Sequence, residues 1–112
     1  MASRSLESAR DIKIVVGTEN PRSFFVQQQL LEHTSEYFTK ALRNQHLGKD
    51  SEPGVLKFPT DNVAAWQALL FWMYKGSVPW DDVESQEDVA VRAWVLGDKL
   101  CIPDFQNEVS GQ

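Results

Sequence analysis

A mixed α/β (α+β) fold with three short strands and five helical stretches is predicted by three features of this 112-residue sequence. Three β-branched or aromatic runs, IKIVVG, SFFV and VLKFP, are bounded by turn residues, which is the mark of strands. At Gln27, Val63 and Val89 the apolar spacing changes to the threes and fours of a helix. Composition is that of an ordinary globular protein, 42% hydrophobic and 24% charged, with one cysteine. By length this is one domain, able to bury roughly 65% of its unfolded surface without disulfides or metals.

Residues 1–10 offer only Leu6 as a large apolar group and read as a disordered tail ahead of a domain over 11–112. Residues 12–17 are continuously apolar apart from Lys13, as in a buried strand. The Asn20-Pro21 pair turns the chain into a second strand over 23–26, the hairpin partner of the first. Beyond Gln27, Leu30, Leu31 and Thr34 suit one or two helical turns. Thr34 or Ser35 can then cap a helix over 35–43, in which Phe38 and Leu42, and Tyr37 and Ala41, make an apolar stripe. Residues 43–54, RNQHLGKDSEPG, are a polar loop. The third strand occupies 55–59, with Leu56 and Phe58 inward and Pro59 ending it. Asp61 is placed to cap the next helix.

That helix contains much of FWMYKGSVPW, where four of the chain's twelve aromatic residues fall within ten positions. At about 100° per residue, Val63, Trp66, Leu70 and Tyr74 share one side. Leu69, Trp72 and Met73 cover much of the rest, and Gln67 is the polar exception. A helix apolar nearly all round reads as a buried central helix, with Trp66, Leu70 and Phe71 in the core and Gly76 as its left-handed stop. Trp80 falls beyond the stop, in a loop, where partial exposure is expected. Residues 77–88 are a turn-rich acidic connection. A further helix covers 89–100, with Val89, Ala93, Leu96 and Leu100 on one face and Gly97 at a close approach. Pro103 suits the first turn of a short last helix. That helix is young where the chain stops at SGQ, so a domain cut from a longer protein is expected.

Net charge is −5, and the 11 Lys and Arg are scattered with no two adjacent. A phosphate-binding surface needs clustered cations, so no nucleic-acid partner is expected. Cys101 alone makes neither a disulfide framework nor a cysteine zinc site, and it suits a reducing compartment. Its neighbours Ile102 and Pro103 would not activate it, so it reads as a buried, inert thiol. No secretory leader or span of roughly 18 apolar residues is present, so an intracellular protein, cytoplasmic or nuclear and away from membranes, is expected. His33 and His46 share no ligand spacing with a cysteine or carboxylate pair and read as surface histidines. Asp81 and Asp82 could be drawn as an acid/base pair, but adjacent loop carboxylates are ordinarily solvated. None of the G-x-S-x-G, H-E-x-x-H or Walker patterns occurs. No catalytic, cofactor-binding or metal-binding residue is nominated, and the protein reads as a non-enzyme.

Four stretches in this order resemble the BTB/POZ domain, together covering residues 11–109. Asp11, Ile12 and Ile14 are similar to the family's D-[VI]-x-[LIV] opening. FFVQQQLLEHTSEYF resembles F-x-V-H-x-x-x-L-x-x-x-S-x-Y-F through Phe24, Val26, Leu31, Ser35, Tyr37 and Phe38, with Gln27 where the family has histidine. LKFPTDN and WQALLFWMYKG resemble its strand and D-x-x-x-F-x-x-L-L-x-W-x-Y-T-G helix, with Trp66 for phenylalanine and Lys75 for threonine. VLGDKLCIPDFQNEV is similar to L-A-D-K-L-x-x-P-x-L-x-x-x-V through Leu96, Asp98, Lys99, Leu100, Pro103 and Val109. The Trp-rich helix resembles fungal members. The resemblance implies a cluster of about five helices flanked by a small three-stranded sheet, mixed or antiparallel. It also implies function by contact with protein partners: a homodimer, a heterodimer, or an adaptor docked on a cullin ubiquitin-ligase scaffold.

Cullin-binding members carry a hydrophobic-x-Glu motif in the loop after the second helix. Here Leu47 is followed by Gly48 and Lys49, and Asp50 stands two before Glu52, so the motif is absent. Strand-exchanged dimers use an apolar N-terminal extension, and residues 1–10 supply only Leu6. The resemblance puts Gln28, Gln29 and Glu32 toward the dimer face and Tyr37, Asn44, His46 and Leu47 on the cullin-facing region, and these seven are the expected partner-binding residues. A different class of function, a small ligand-binding regulatory domain, would use Trp80 and the acidic connection as a pocket edge.

Overall fold

Strand β1 (Asp11–Val16) lies between two others in the computed structural model, which describes residues 11–43 and 54–111. The expectations for the tail over 1–10 and the loop over 44–53 fall outside those residues. The described residues form two compact units, divided between Thr60 and Asp61.

In the first unit β1 pairs antiparallel with β2 (Arg22–Gln27), Asp11 opposite Gln27 and Val16 opposite Arg22. It pairs parallel with β3 (Val55–Phe58), Lys13 opposite Val55 and Val16 opposite Phe58. The sheet is therefore mixed. Ile12, Ile14 and Val16 are buried while Asp11 and Lys13 are exposed. This corrects the reading of a strand buried on both faces: the two-residue period of a strand sends Asp11 and Lys13 to the same side, which stays wet. Gly17 leaves β1 at φ 96, and its N–H donates to the Phe58 carbonyl at 3.1 Å.

Helix α1 (Gln28–Thr34) buries Leu31, and α2 (Glu36–Arg43) buries Phe38 and Leu42. Of the two candidate caps for α2, Ser35 serves: its Oγ accepts from the Tyr37 N–H at 3.1 Å. The Thr34 hydroxyl is turned back into α1, donating to the Leu30 carbonyl at 2.7 Å.

In the second unit α3 (Val63–Lys75) is capped by Asn62, whose Oδ1 accepts from the Ala65 N–H at 3.0 Å. Asp61, expected in that role, instead accepts from the Trp66 indole N–H at 2.9 Å and from the Lys99 ammonium. Its carboxylate reaches the buried indole, and the neighbouring Asn62 carboxamide caps the backbone. Helix α3 buries Ala65, Trp66, Ala68 and Leu69 and ends at Gly76, left-handed at φ 80. Leu70 is only half-buried, and Phe71 and Tyr74 are 48% and 54% exposed, so the expectation of a helix buried all round is corrected. Trp80, expected in an open loop, forms a 3-10 turn (Trp80–Asp82) and is only 7% exposed. The Gln86 carboxamide holds this turn by donating to the Trp80 carbonyl.

Helix α4 (Gln86–Lys99) starts three residues ahead of expectation. Glu87 and Asp88 lie in its first turn, where the helix dipole favours acids, so part of the acidic connection is helical. Val89, Ala93, Leu96 and Leu100 are buried as their spacing required. Helix α4 packs against α3 and against α5 (Pro103–Ser110). A Cβ at Gly97 would sit 2.9 Å from Gln106 Cγ and 3.2 Å from Phe105 Cδ2, which is the close approach its position implied. Trp72 and Phe105 pack with ring centroids 5.5 Å apart. Cys101 is exposed and left-handed at φ 58, contrary to the buried thiol expected; it occupies the turn between α4 and α5, which points it to solvent.

Candidate interaction site

The helical residues nominated from the sequence occupy the first unit. Gln28 and Glu32 stand one turn apart on α1 and are joined by a 3.0 Å hydrogen bond from Gln28 Nε2 to Glu32 Oε2. Gln29 is exposed on the same helix and lines a shallow hollow of about 280 Å³ with Gln27, Leu30 and His33. Leu30 and His33 were not nominated, although His33, four residues on from Gln29, falls on the same helix face. Tyr37 is half-buried, its ring packed edge-on to Phe38 at 5.7 Å and tilted against Phe58 at 6.5 Å. It is as much a wall of the core as a surface group. Asn44, His46 and Leu47 lie outside the described residues. Phe25 points outward from β2 with 65% exposure, a large apolar group that the strand pattern alone did not assign to either side.

The second unit holds a larger concavity. One face of α3, with Ala64, Ala68 and Phe71, and the segment carrying Val78, Asp82, Val83 and Glu84 enclose a groove of about 430 Å³. Phe71 also forms one side of a smaller hollow, about 300 Å³, shared with Leu70, Tyr74 and Lys75. Trp80, proposed as a pocket edge, is not among the groove's walls; its indole N–H is buried without a hydrogen-bond partner. On α4, Val91, Trp94 and Val95 present a further exposed apolar strip. Asp81 and Asp82 are both exposed, as adjacent carboxylates of a turn should be. Among the described residues no group of three or more His, Cys, Asp or Glu could hold a metal ion, and no helix is long and apolar enough to cross a membrane. The groove of the second unit thus combines an exposed aromatic, Phe71, with the acidic side chains of Asp82 and Glu84.

Known proteins bear on this arrangement in three ways. The fold is shared with the BTB (Tramtrack and Bric a brac) domain of human gigaxonin, at a TM-score of 0.65 and 15% identity, over 98% of this chain and 83% of that one. The BTB domain of zebrafish PATZ1 superposes equally, TM-score 0.65 at 12% identity, over 98% of this chain and 81% of that one. No curated protein matches the sequence. The model of the BTB/POZ domain family matches residues 1–111, nearly the whole length. With three strands and five helices among the described residues, in the order that the sequence motifs implied, this chain belongs to the BTB/POZ domain family.

Proposed function

We propose that this BTB/POZ domain works by contact, as a module for homo- or hetero-oligomerisation or for adaptor contacts within the cytosol or nucleus. The observation that carries the reading is the set of large apolar side chains held outside the core, Phe25 on β2, Phe71 and Tyr74 on α3, and Val91, Trp94 and Val95 on α4. Single exposed apolar residues are common, but groups on one helix face are the usual material of interfaces. BTB/POZ domains are in general interaction modules without catalysis, which agrees with this surface. Gln28, Gln29, Glu32 and Tyr37, with Asn44, His46 and Leu47, are the residues proposed to meet partners.

The adaptor role on a cullin is the finer alternative. Without the hydrophobic-x-Glu motif, the desolvated anchor that an interface needs at its centre has Leu47 as its one candidate in that loop. Cullin binding weaker than micromolar is therefore expected, and it should strengthen when the loop is replaced by one carrying Met-x-Glu. Cross-linking mass spectrometry of the chain, alone and with a cullin N-terminal fragment, tests the reading. Inter-chain cross-links are expected at high protein concentration, from modest self-association; the absence of inter-chain cross-links in both samples would contradict it.

A further inference from the structure

We propose that the groove beside Phe71 receives a short basic, apolar peptide segment of a partner protein. This rests on the contact-module reading and names its site and the chemistry of its occupant. The shape comes from α3. Ala64, Gln67, Ala68 and Phe71 recur at three- and four-residue steps and so share one helix face. The two alanines leave the floor low, and Phe71 at one end and Val78, Pro79 and Val83 opposite rise around it. Val78 is buried, so that wall is anchored in the unit's own core. Phe71 is half-exposed with nothing polar in its side chain to solvate. An aromatic group of this kind, at the edge of a hollow, is a ready contact for an apolar side chain of a ligand. On its other side the hollow with Leu70, Tyr74 and Lys75 offers a seat for an apolar side chain, and the Lys75 ammonium there turns the occupant's cations toward Asp82 and Glu84.

The charge selects the occupant. Residues 77–88 contain five acidic residues and no Lys or Arg, as much negative charge as the net −5 of the entire chain. Asp82 and Glu84 line the groove, with Asp81 adjacent in sequence. The ion pairs of the second unit lie elsewhere: Asp88 is matched by Arg92 at 2.9 Å and Asp61 by Lys99, while Asp81, Asp82 and Glu84 have none among the described residues. Acids concentrated along a groove with an apolar floor make a negative potential that draws Lys and Arg and repels phosphate. A second copy of this chain suits the site poorly, since it brings the same acidic segment and no two adjacent basic residues.

The test uses the full chain and two fluorescein-labelled probes: a short peptide with two leucines flanked by Lys-Arg pairs, and the same peptide with Glu for every Lys and Arg. The basic probe is expected to bind, more weakly as salt rises, and the acidic probe not at all. Backbone amide shifts should change at Ala64, Gln67, Ala68, Phe71, Val83 and Glu84. Phe71→Ser, and separately Asp82→Lys with Glu84→Lys, should each weaken the basic probe about tenfold or more while circular dichroism is unchanged. Equal binding of both probes, or shifts gathered at Gln28, Gln29 and Glu32, would overturn the groove while leaving the contact reading in place. No probe binding would also overturn it, and if the chain then shows no self-association, the contact reading falls with it.

Discussion

The Asp61 carboxylate accepts a hydrogen bond at 2.9 Å from the indole N–H of Trp66, a side chain with no solvent exposure at all. The same carboxylate meets the Lys99 ammonium, so the residue before the cap of α3 is tied to the last residue of α4. Removing the acceptor takes a hydrogen bond to a carboxylate away from a buried indole. Asp61→Ala should therefore cost about 1–3 kcal/mol, and Asp61→Asn, which retains an oxygen, less. Lys99→Met, losing a partly exposed ion pair, should cost under about 1 kcal/mol. Urea denaturation of the three variants checks the order; an Asp61→Ala midpoint equal to the parent's would refute the bond's role.

Trp66 and Phe71 separate the two sides of α3. Trp66→Ala should cost about 3–5 kcal/mol through the cavity it leaves, a large part of the roughly 5–15 kcal/mol a domain possesses. Phe71→Ala, at a side chain half in water, should move stability by no more than about 1 kcal/mol. Thermal melts of both variants decide it, and similar losses would mean that Phe71 is part of the core.

The contrast marks what could be read from residues alone. The left-handed Gly76, the faces of α2 and α4 and the crowded Gly97 are local patterns, and each is present in the structure as expected, whereas β1 alternates, with Ile12, Ile14 and Val16 inward and Lys13 out, where a continuously buried strand was expected. Helix α3 is different, because hydrophobicity on every side says that a helix can be covered but not which side is. Apolar residues need not be inside, and Phe71 and Tyr74 stay out. Trp80 erred in the opposite direction: its turn residues marked a loop, yet Val78 and Trp80 are both buried there. The groove left a trace in the spacing of Ala64 and Ala68 ahead of Phe71 and in the acids that follow, but only the folded chain brings the two segments face to face.

Gly97→Ala should destabilise despite the better helix former. Alanine gains about 1 kcal/mol of propensity in a helix interior. The new methyl, however, meets Gln106 at 2.9 Å and the fully buried Phe105 ring at 3.2 Å, and overpacking of this kind costs about 1–3 kcal/mol. A net loss of about 1 kcal/mol in a chemical melt is expected; a gain would show that α5 yields freely.

Cys101 should react in the folded state. It is exposed in the turn after α4, so Ellman's reagent should titrate one thiol per chain without denaturant. A thiol that appears only in urea would return Cys101 to the interior.

The most direct test of a domain that works by contact is its mass in solution. Light scattering of the full chain should give 12.7 kDa at low micromolar concentration and a weight-average mass that climbs as concentration approaches the millimolar range. A modest slope is expected, since residues 1–10 lack the apolar extension of strand-exchanged dimers. A mass fixed at that of the monomer throughout, and unchanged by the basic probe or a cullin fragment, would contradict the account.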